Sequence, residues 1–298
     1  MINYAYYPGC VAKESGKELD NSTRFITEKL GINLVDMPEA SCCGGGVIDG
    51  FDHNLKLYIN GRTLALAEKL GYDILTICNT CTLTLSEVNE ELINNPEALK
   101  KTNDYLSKIG LKYSGKVKVK HLLYIIRDEI GLDKLKNAVT YSLDGVKVAP
   151  FYGCHILRPS SVLKFDDVEN PSGFEELIKA LGAEPVSYIR RTKCCGFQTI
   201  LVNEVTSTSL AGNAIYEAQQ NKADVMVTPC PLCHLSLDTY QGVAAMNINK
   251  ELSLPILHLP QLIGVALGGS YAEMGFSRHN ISFRAVMSKI KQNKLKTA

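Results

Sequence analysis

Ten cysteines are the residues best equipped for chemistry in this sequence, and they fall into two ordered sets of five. The first set runs Tyr7-Pro8-Gly9-Cys10, then Cys42-Cys43-Gly44 after 31 intervening residues, then Cys78-Asn79-Thr80-Cys81 after 34 more. The second runs Tyr152-Gly153-Cys154, then Cys194-Cys195-Gly196 after 39, then Cys230-Pro231-Leu232-Cys233 after 34. No cysteine is left over. Buried thiols pack like small hydrophobes, but packing does not put ten of ten in register beside glycine. Adjacent pairs such as Cys42-Cys43 are poor disulfide partners, because a bridge needs a particular Cβ separation and torsion. Structural zinc takes four thiolates, whereas each copy offers five, and zinc at one of the two sites stays an alternative. Iron–sulfur clusters, held by thiolates and often flanked by proline as in Pro229-Cys230-Pro231, fit better. An ordinary cubane takes four cysteines, so five imply a spare thiol, a bridging thiolate or a cluster that is not a cubane. Spacing alone does not choose among these.

The elements that must position these thiols follow from the hydrophobic pattern. A strand is expected at 2–7 leading into a turn at Cys10, and a helix from Glu14 to Leu30 stopped by Gly31. A strand at Ile32–Val35 leads toward Cys42. A helix carrying Leu55, Ile59, Leu66 and Leu70 on one face ends at Gly71. A third strand, Ile74–Ile77, delivers Cys78. Helices at Thr82–Leu92 and Pro96–Lys108 and a strand at Val117–Val119 before His121 complete the first half. The second half repeats this order: a strand at Val146–Phe151, a helix at Phe174–Leu181, an extended piece at Pro185–Tyr188, and a helix at Val202–Asn221. A strand at Val225–Val227, another at Pro255–Leu257 before His258, and a helix at Pro260–Leu267 follow. The expected architecture is α/β: two tandem domains, 1–138 and 139–298, each a small parallel sheet flanked by helices. In such sheets ligands bind beyond the carboxyl ends of the strands, where three distant stretches of each half would bring their cysteines together.

Composition narrows the function class. A chain of 298 residues with 45% apolar and 21% charged residues can bury a sizeable core. A formal net charge of +1 gives no global attraction to nucleic acid or to a membrane surface. No basic segment followed by an apolar run opens the chain, and the longest apolar stretch, 254–267, is interrupted by His258, Pro260 and Gln261. A soluble, cytoplasmic protein is expected, where thiols stay reduced and bind metal rather than pair.

Two copies of Cys-x31–39-Cys-Cys-Gly followed by Cys-x-x-Cys, in a chain of this size, resemble the CCG-domain proteins. The resemblance is closest to the family of heterodisulfide reductase B subunits of methanogenic archaea. Leu257-His258-Leu259-Pro260-Gln261-Leu262 and Gly153-Cys154-His155 are similar to that family as well. The resemblance implies a noncubane [4Fe–4S] cluster on Cys10, Cys42, Cys43, Cys78 and Cys81, and another on Cys154, Cys194, Cys195, Cys230 and Cys233. It implies reduction of the coenzyme M–coenzyme B heterodisulfide to two thiols in methanogenesis, with the substrate lodged between the clusters. It also implies partners: a ferredoxin-like iron–sulfur C subunit, a flavin-containing A subunit that bifurcates electrons, and a hydrogenase or formate dehydrogenase. The chain itself has no flavin fingerprint and no ferredoxin motif, so its electrons would come from outside. A CCG subunit serving a quinone or another acceptor, or a zinc-stabilised interaction module, are the alternatives.

Candidates beyond the cysteines are few. His155 and His234 adjoin ligand cysteines and could donate a proton to a leaving thiolate. Arg158, Arg190, Arg191 and Lys193 flank Cys154 and Cys194 and could bind an anionic substrate, or could be ordinary solvated surface. The first copy lacks such a group, which makes the second site the more cationic. His121 and His258 occupy equivalent positions and are expected to be structural. The acid-free basic stretch from Arg278 to Lys296 is expected to be a solvated terminal helix or a docking surface.

Overall fold

The first strand shows how the core is built. In Ile2–Tyr7 (β1), Tyr4 and Tyr6 enter one hydrophobic core, while Ala5 and Tyr7 enter the other. This is the period-two alternation of a strand buried on both faces. Its counterpart Lys147–Pro150 (β5) splits Val148 and Ala149 in the same way. The computed structural model describes residues 1–297, with side chains through residue 290.

Strand β1 pairs in parallel with Ile32–Asp36 (β2) and Ile74–Thr76 (β3), and β3 with Val119–His121 (β4). The second sheet repeats this as Glu184–Pro185 (β6), β5, Val225–Thr228 (β7) and Ile256–His258 (β8), giving orders β2-β1-β3-β4 and β6-β5-β7-β8. The expected α/β architecture of two parallel sheets flanked by helices is the observed one. Strands β4 and β8 start later than the apolar pattern predicts and include the histidines, because register with the neighbouring strand sets their ends: Thr76 pairs with His121 and Thr228 with His258.

The helices are α1 (Gly9–Lys13), α2 (Lys17–Leu30), α3 (His53–Leu70), α4 (Asn79–Asn94), α5 (Pro96–Ser107), α6 (Leu122–Tyr124) and α7 (Leu132–Ala138) in the first half. The second half has α8 (Gly173–Ala180), α9 (Glu204–Gln220), α10 (Pro231–His234), α11 (Gln241–Ile248), α12 (Leu259–Ala266) and α13 (Arg284–Thr297). The expected turn at Cys10 is instead the short helix α1, and the expected helix from Glu14 begins only at Lys17. A helical run through 122–138, with a π-helical stretch at Ile125–Gly131 between α6 and α7, and helix α11 are absent from the sequence expectation. Their mixed polar and apolar order gives no clean helical stripe. The basic stretch from Arg278 begins ahead of α13, and its side chains beyond residue 290 lie outside the described residues.

The halves interlock. Helix α12 of the second half packs on α2 of the first, and α7, which closes the first half, packs on α8 of the second. Each of the two cores takes residues from both halves. Burying one Leu- or Phe-sized side chain contributes roughly 1.5–3 kcal/mol, so a core shared across the pseudo-symmetric halves ties them firmly. Among the described residues no helix is long and apolar enough to cross a membrane.

Candidate metal centres

Every cysteine follows a strand end, so backbone topology sets the sulfur positions. Cys78 is the N-cap of α4 just after β3, and Cys81 lies in that helix's first turn. Cys230 caps α10 after β7 in the same way, with Pro231 at the first helical position, where a missing N–H costs nothing. A helix N-terminus presents N–H groups and positive partial charge to a thiolate. Cys10 follows β1 and Cys42-Cys43 follow β2. The sulfurs converge: Cys10 and Cys42 lie 3.6 Å apart, Cys43 and Cys81 3.5 Å. Thiol contacts link Cys154 to Cys194 and Cys195 to Cys233 in the matching positions. Cys78 and Cys230 lie near enough to shift one another's thiols, Cys78 up and Cys230 down, so the two sets face each other across the halves. All ten thiols are free. In each copy the sulfurs after the second and third strands (Cys43, Cys78, Cys81; Cys195, Cys230, Cys233) are buried, whereas Cys10, Cys42 and Cys194 are exposed and Cys154 is half-buried. Each set therefore has a closed base and an accessible mouth.

Glycine makes room for the sulfurs. Gly9 and Gly153 hold φ of +78° and +73°, and an added Cβ would stand 3.1 Å from the Cys81 sulfur and 2.9 Å from the Cys233 sulfur. A side chain at either place would push on a ligand position. Backbone N–H groups of Gly44 and Gly45 donate to the Cys42 and Cys43 sulfurs at 3.4 Å, and Gly196 N–H to the Cys194 sulfur at 3.3 Å. The charge pattern repeats as well. Hydrogen bonds from Cys10 and Cys43, with the Gly44 N–H, pull the Cys42 thiol down to about 2. Cys194 is pulled down to about 2 by Cys154, Cys195 and Gly196. Their neighbours rise in response, Cys43 to about 11 and Cys195 to about 12. Each copy thus holds its middle thiol down. In the second copy, against its burial, Cys230 is also held well below its ordinary value by Cys233 and Cys78, while the corresponding Cys78 is pushed up. A bound metal would draw the remaining protons off. Five soft donors with N–H groups aimed at sulfur fit an iron–sulfur cluster, and four of the five fit zinc.

The walls of the two sets differ. The first adjoins a cavity of about 290 Å³ lined by its five cysteines and by Val11, Val47, Phe197 and Leu232, the last two from the second half. The cavity at the second set is about 20 Å³. Residues of one half complete the other's site. The Asn79 side-chain amide donates to the Tyr152 carbonyl at 2.7 Å, and Thr80 Oγ1 lies 3.0 Å from His155 Nδ1. An added Cβ on Gly46 would stand 2.3 Å from the Gln198 amide. These cross-half contacts are invisible to sequence reasoning, which has no distances between halves. Phe197 and Gln198 carried a signal, standing where the first copy has Gly45 and Gly46.

Of the sequence candidates beyond the cysteines, His155 lines the cavity at the second set and a separate space of about 320 Å³ beside the first. His234 lies away from them, its ring stacked on His258 at 3.8 Å and its Nε2 3.1 Å from His279 Nδ1. Arg158 donates to the Thr192 and Val168 carbonyls and to Glu169. Arg191 is ion-paired with Glu175 at 2.9 Å, and Arg190 faces Glu217 at 3.6 Å. Lys193 is exposed and has no side-chain ion pair among the described residues. Three of the four cations therefore brace the loops that carry Cys154 and Cys194.

The cysteine-rich CCG domain matches residues 4–86 and 148–238, the two halves that carry the sulfur sets. The chain belongs to the CCG domain family. It is 38% identical over 93% of its length to the 8-methylmenaquinol:fumarate reductase membrane anchor subunit of Wolinella succinogenes, covering 96% of that protein. It is 35% identical to the B subunit of the ferredoxin/F420H2-dependent CoB-CoM heterodisulfide reductase of Methanosarcina acetivorans, covering 97% of each chain. A crystal structure of a hypothetical protein from Helicobacter pylori shares the fold, with a TM-score of 0.76 and 17% identity, over 94% of this chain and 52% of that one. Both of the sequence relatives belong to reductases, and the resemblance to heterodisulfide reductase B subunits is borne out at family level.

Proposed function

We propose that this chain is the redox subunit of a multi-subunit reductase, in which each five-cysteine set holds a noncubane [4Fe–4S] cluster. The proximity of the two sets carries this reading: Pro231 and Leu232 of the second line the cavity at the first, Asn79 and Thr80 of the first line the cavity at the second, and Cys78 and Cys230 shift one another's thiols. Bound clusters would each supply one electron. Paired one-electron sites suit cleavage of a disulfide such as the coenzyme M–coenzyme B heterodisulfide: two electrons and two protons enter, the S–S bond breaks, and two thiols leave. The Thr80 hydroxyl engages His155 Nδ1, so Nε2 is the ring nitrogen left to pass a proton to a leaving sulfur. Lys193 is the cation of its group free to meet an anionic end. His234, away from both cavities and stacked on His258, is set aside as a proton donor, and Arg158, Arg190 and Arg191 bear on substrate through the loops they brace.

Electrons would come from a flavin-containing A subunit through an iron–sulfur C subunit, with a hydrogenase or formate dehydrogenase, in the cytoplasm. Exposed Val47 and Phe51 in one mouth loop, and Leu201 and Val202 in its counterpart, support docking of such a partner there. Zinc in place of one cluster is the variant that metal analysis separates.

A second reading, exchange of electrons with a quinone, is favoured by the apolar wall of the first cavity and by the involvement of Arg158, Arg190 and Arg191 elsewhere. The Wolinella relative's name points the same way. Anaerobic purification followed by iron and zinc analysis and EPR tests the proposal. About eight irons per chain are expected for two four-iron clusters, with a new EPR signal when coenzyme M is added to the oxidised protein. Zinc without iron would overturn it.

A further inference from the structure

A second cavity beside the first cysteine set is unused by the disulfide reading. It encloses about 320 Å³, and its wall includes Asp49, Lys56, Thr80, Thr84, Glu87 and His155 but no cysteine. Gly44, Gly45 and Thr80 line both this space and the sulfur cavity, so the two adjoin. Lys56 is 8% exposed, with Nζ 2.8 Å from Asp49 Oδ2 and 3.0 Å from Glu87 Oε2. A buried ammonium is retained only where its partners are held in place, so this trio is fixed wall rather than a mobile clamp.

Three atoms of the wall residues have no protein partner among the described residues: Glu87 Oε1, Thr84 Oγ1 and His155 Nε2. Asp49 and Glu87 flank the one ammonium, and His53 Nδ1 takes the other Asp49 oxygen at 2.9 Å, so the wall offers no unpaired Lys or Arg to an anion. Such a wall does not attract a sulfonate or phosphate. It suits an uncharged group that both donates and accepts hydrogen bonds: a hydroxyl to Glu87, a carbonyl oxygen from Thr84 or His155. Val47 and Phe51, 58% and 87% exposed on the loop that includes Asp49, offer apolar surface to the rest of such a molecule.

We infer that this cavity seats the uncharged, oxygen-bearing head group of a quinone-like redox molecule beside the first cysteine set. The inference concerns binding and rests on the second reading above. The probe is 2,3-dimethyl-1,4-naphthoquinone, whose substituted ring does not add to thiols, titrated calorimetrically into the anaerobically purified oxidised protein. Thr84→Val and His155→Phe are each expected to weaken binding about five- to tenfold, the loss of one hydrogen bond donated to a quinone oxygen. Thr84→Ser, which keeps the hydroxyl, retains wild-type affinity and separates a lost contact from a lost fold. The disulfide of 2-mercaptoethanesulfonate, at equal concentration, is expected not to displace the probe. Displacement by that anion, or wild-type affinity in both weakened variants, overturns the inference. Iron is measured on the same samples: its absence sinks the cluster reading alone, because the pocket wall has no cysteine and the affinity ratios still decide.

Discussion

The two cysteine sets share a frame and differ in their walls. Both hold one thiol down, Cys42 or Cys194, between a raised exposed or half-buried neighbour and a raised buried one, and the second set alone also holds Cys230 down. Yet the first opens on about 290 Å³ and the second on about 20 Å³. The frame comes from strand ends and helix N-termini, which backbone hydrogen bonding fixes. The walls come from loop side chains such as Phe197 and Gln198, which can vary without moving a sulfur. The repeat keeps the cysteines and varies what surrounds them, so one half has a space that the other lacks.

The equivalent histidines diverge in the same manner. His121 Nε2–H donates to the Pro229 carbonyl across the halves at 3.1 Å, and its Nδ1 accepts from the Leu123 N–H at 3.0 Å. His258 instead stacks on His234 and stands 3.6 Å from Glu18. One ring joins the halves beside Cys230, and its twin belongs to a histidine group around the C-terminal segment.

Removing a base sulfur from each set is the strongest way to break the comparison. Cys81→Ser and Cys233→Ser are each expected to lower bound iron by about half, measured by colorimetric iron analysis on anaerobic protein. Loss of nearly all iron in either variant would show that the proximity of Cys78 and Cys230 makes the sets one unit. Next come the cradle glycines. Gly153→Ala and Gly9→Ala are expected to destabilise by roughly 1–3 kcal/mol, the former more because its Cβ comes closer to sulfur, as read from urea unfolding.

His121→Ala should cost about 1–3 kcal/mol by leaving the Pro229 carbonyl without its buried donor. Burial holds the His121 pKa down to about 4, against an ordinary 6.5. The unfolded chain therefore takes up the proton first. The stability from neutral His121 is complete above pH 6.5 and is lost as pH falls toward 4. Urea unfolding across that window should show a shallower decline for the alanine variant than for wild type.

The smallest effect separates the cations. Arg190→Ala, with a 43% exposed side chain at its ion pair, should change stability by less than about 0.5 kcal/mol. Arg191→Ala, 15% exposed and paired to Glu175, should cost about 1–3 kcal/mol by leaving that half-buried carboxylate with the Tyr152 hydroxyl but no cation. Equal effects would mean that Arg191 is not a brace.

Much of the frame was legible in advance. The strands leading to Cys10, Cys78, Cys154 and Cys230 stand out because apolar runs stop at glycine, proline or cysteine. The helix breaks at Gly31 and Gly71 fall where expected. The run through 122–138 was not legible, because its burial comes from packing on α8 and α2 rather than from a clean stripe. The roles of Arg158, Arg190 and Arg191 were not either: a positive charge in the sequence names no partner, and their acids lie 11 to 27 residues away. Lys56 carried no signal at all, since its carboxylates sit on a different loop and on helix α4.

The sequence by itself determined the two cysteine sets, their repetition and the order of elements that presents them. Those depend on residue type and on local periodicity, which a linear chain records. Only the tertiary structure decided that the two sets face each other, that one opens on a large space and the other scarcely does, and that most of the cations near Cys194 are held by acids. Those are facts about distances between segments far apart in the chain, fixed by shared cores and strand register rather than by any local pattern.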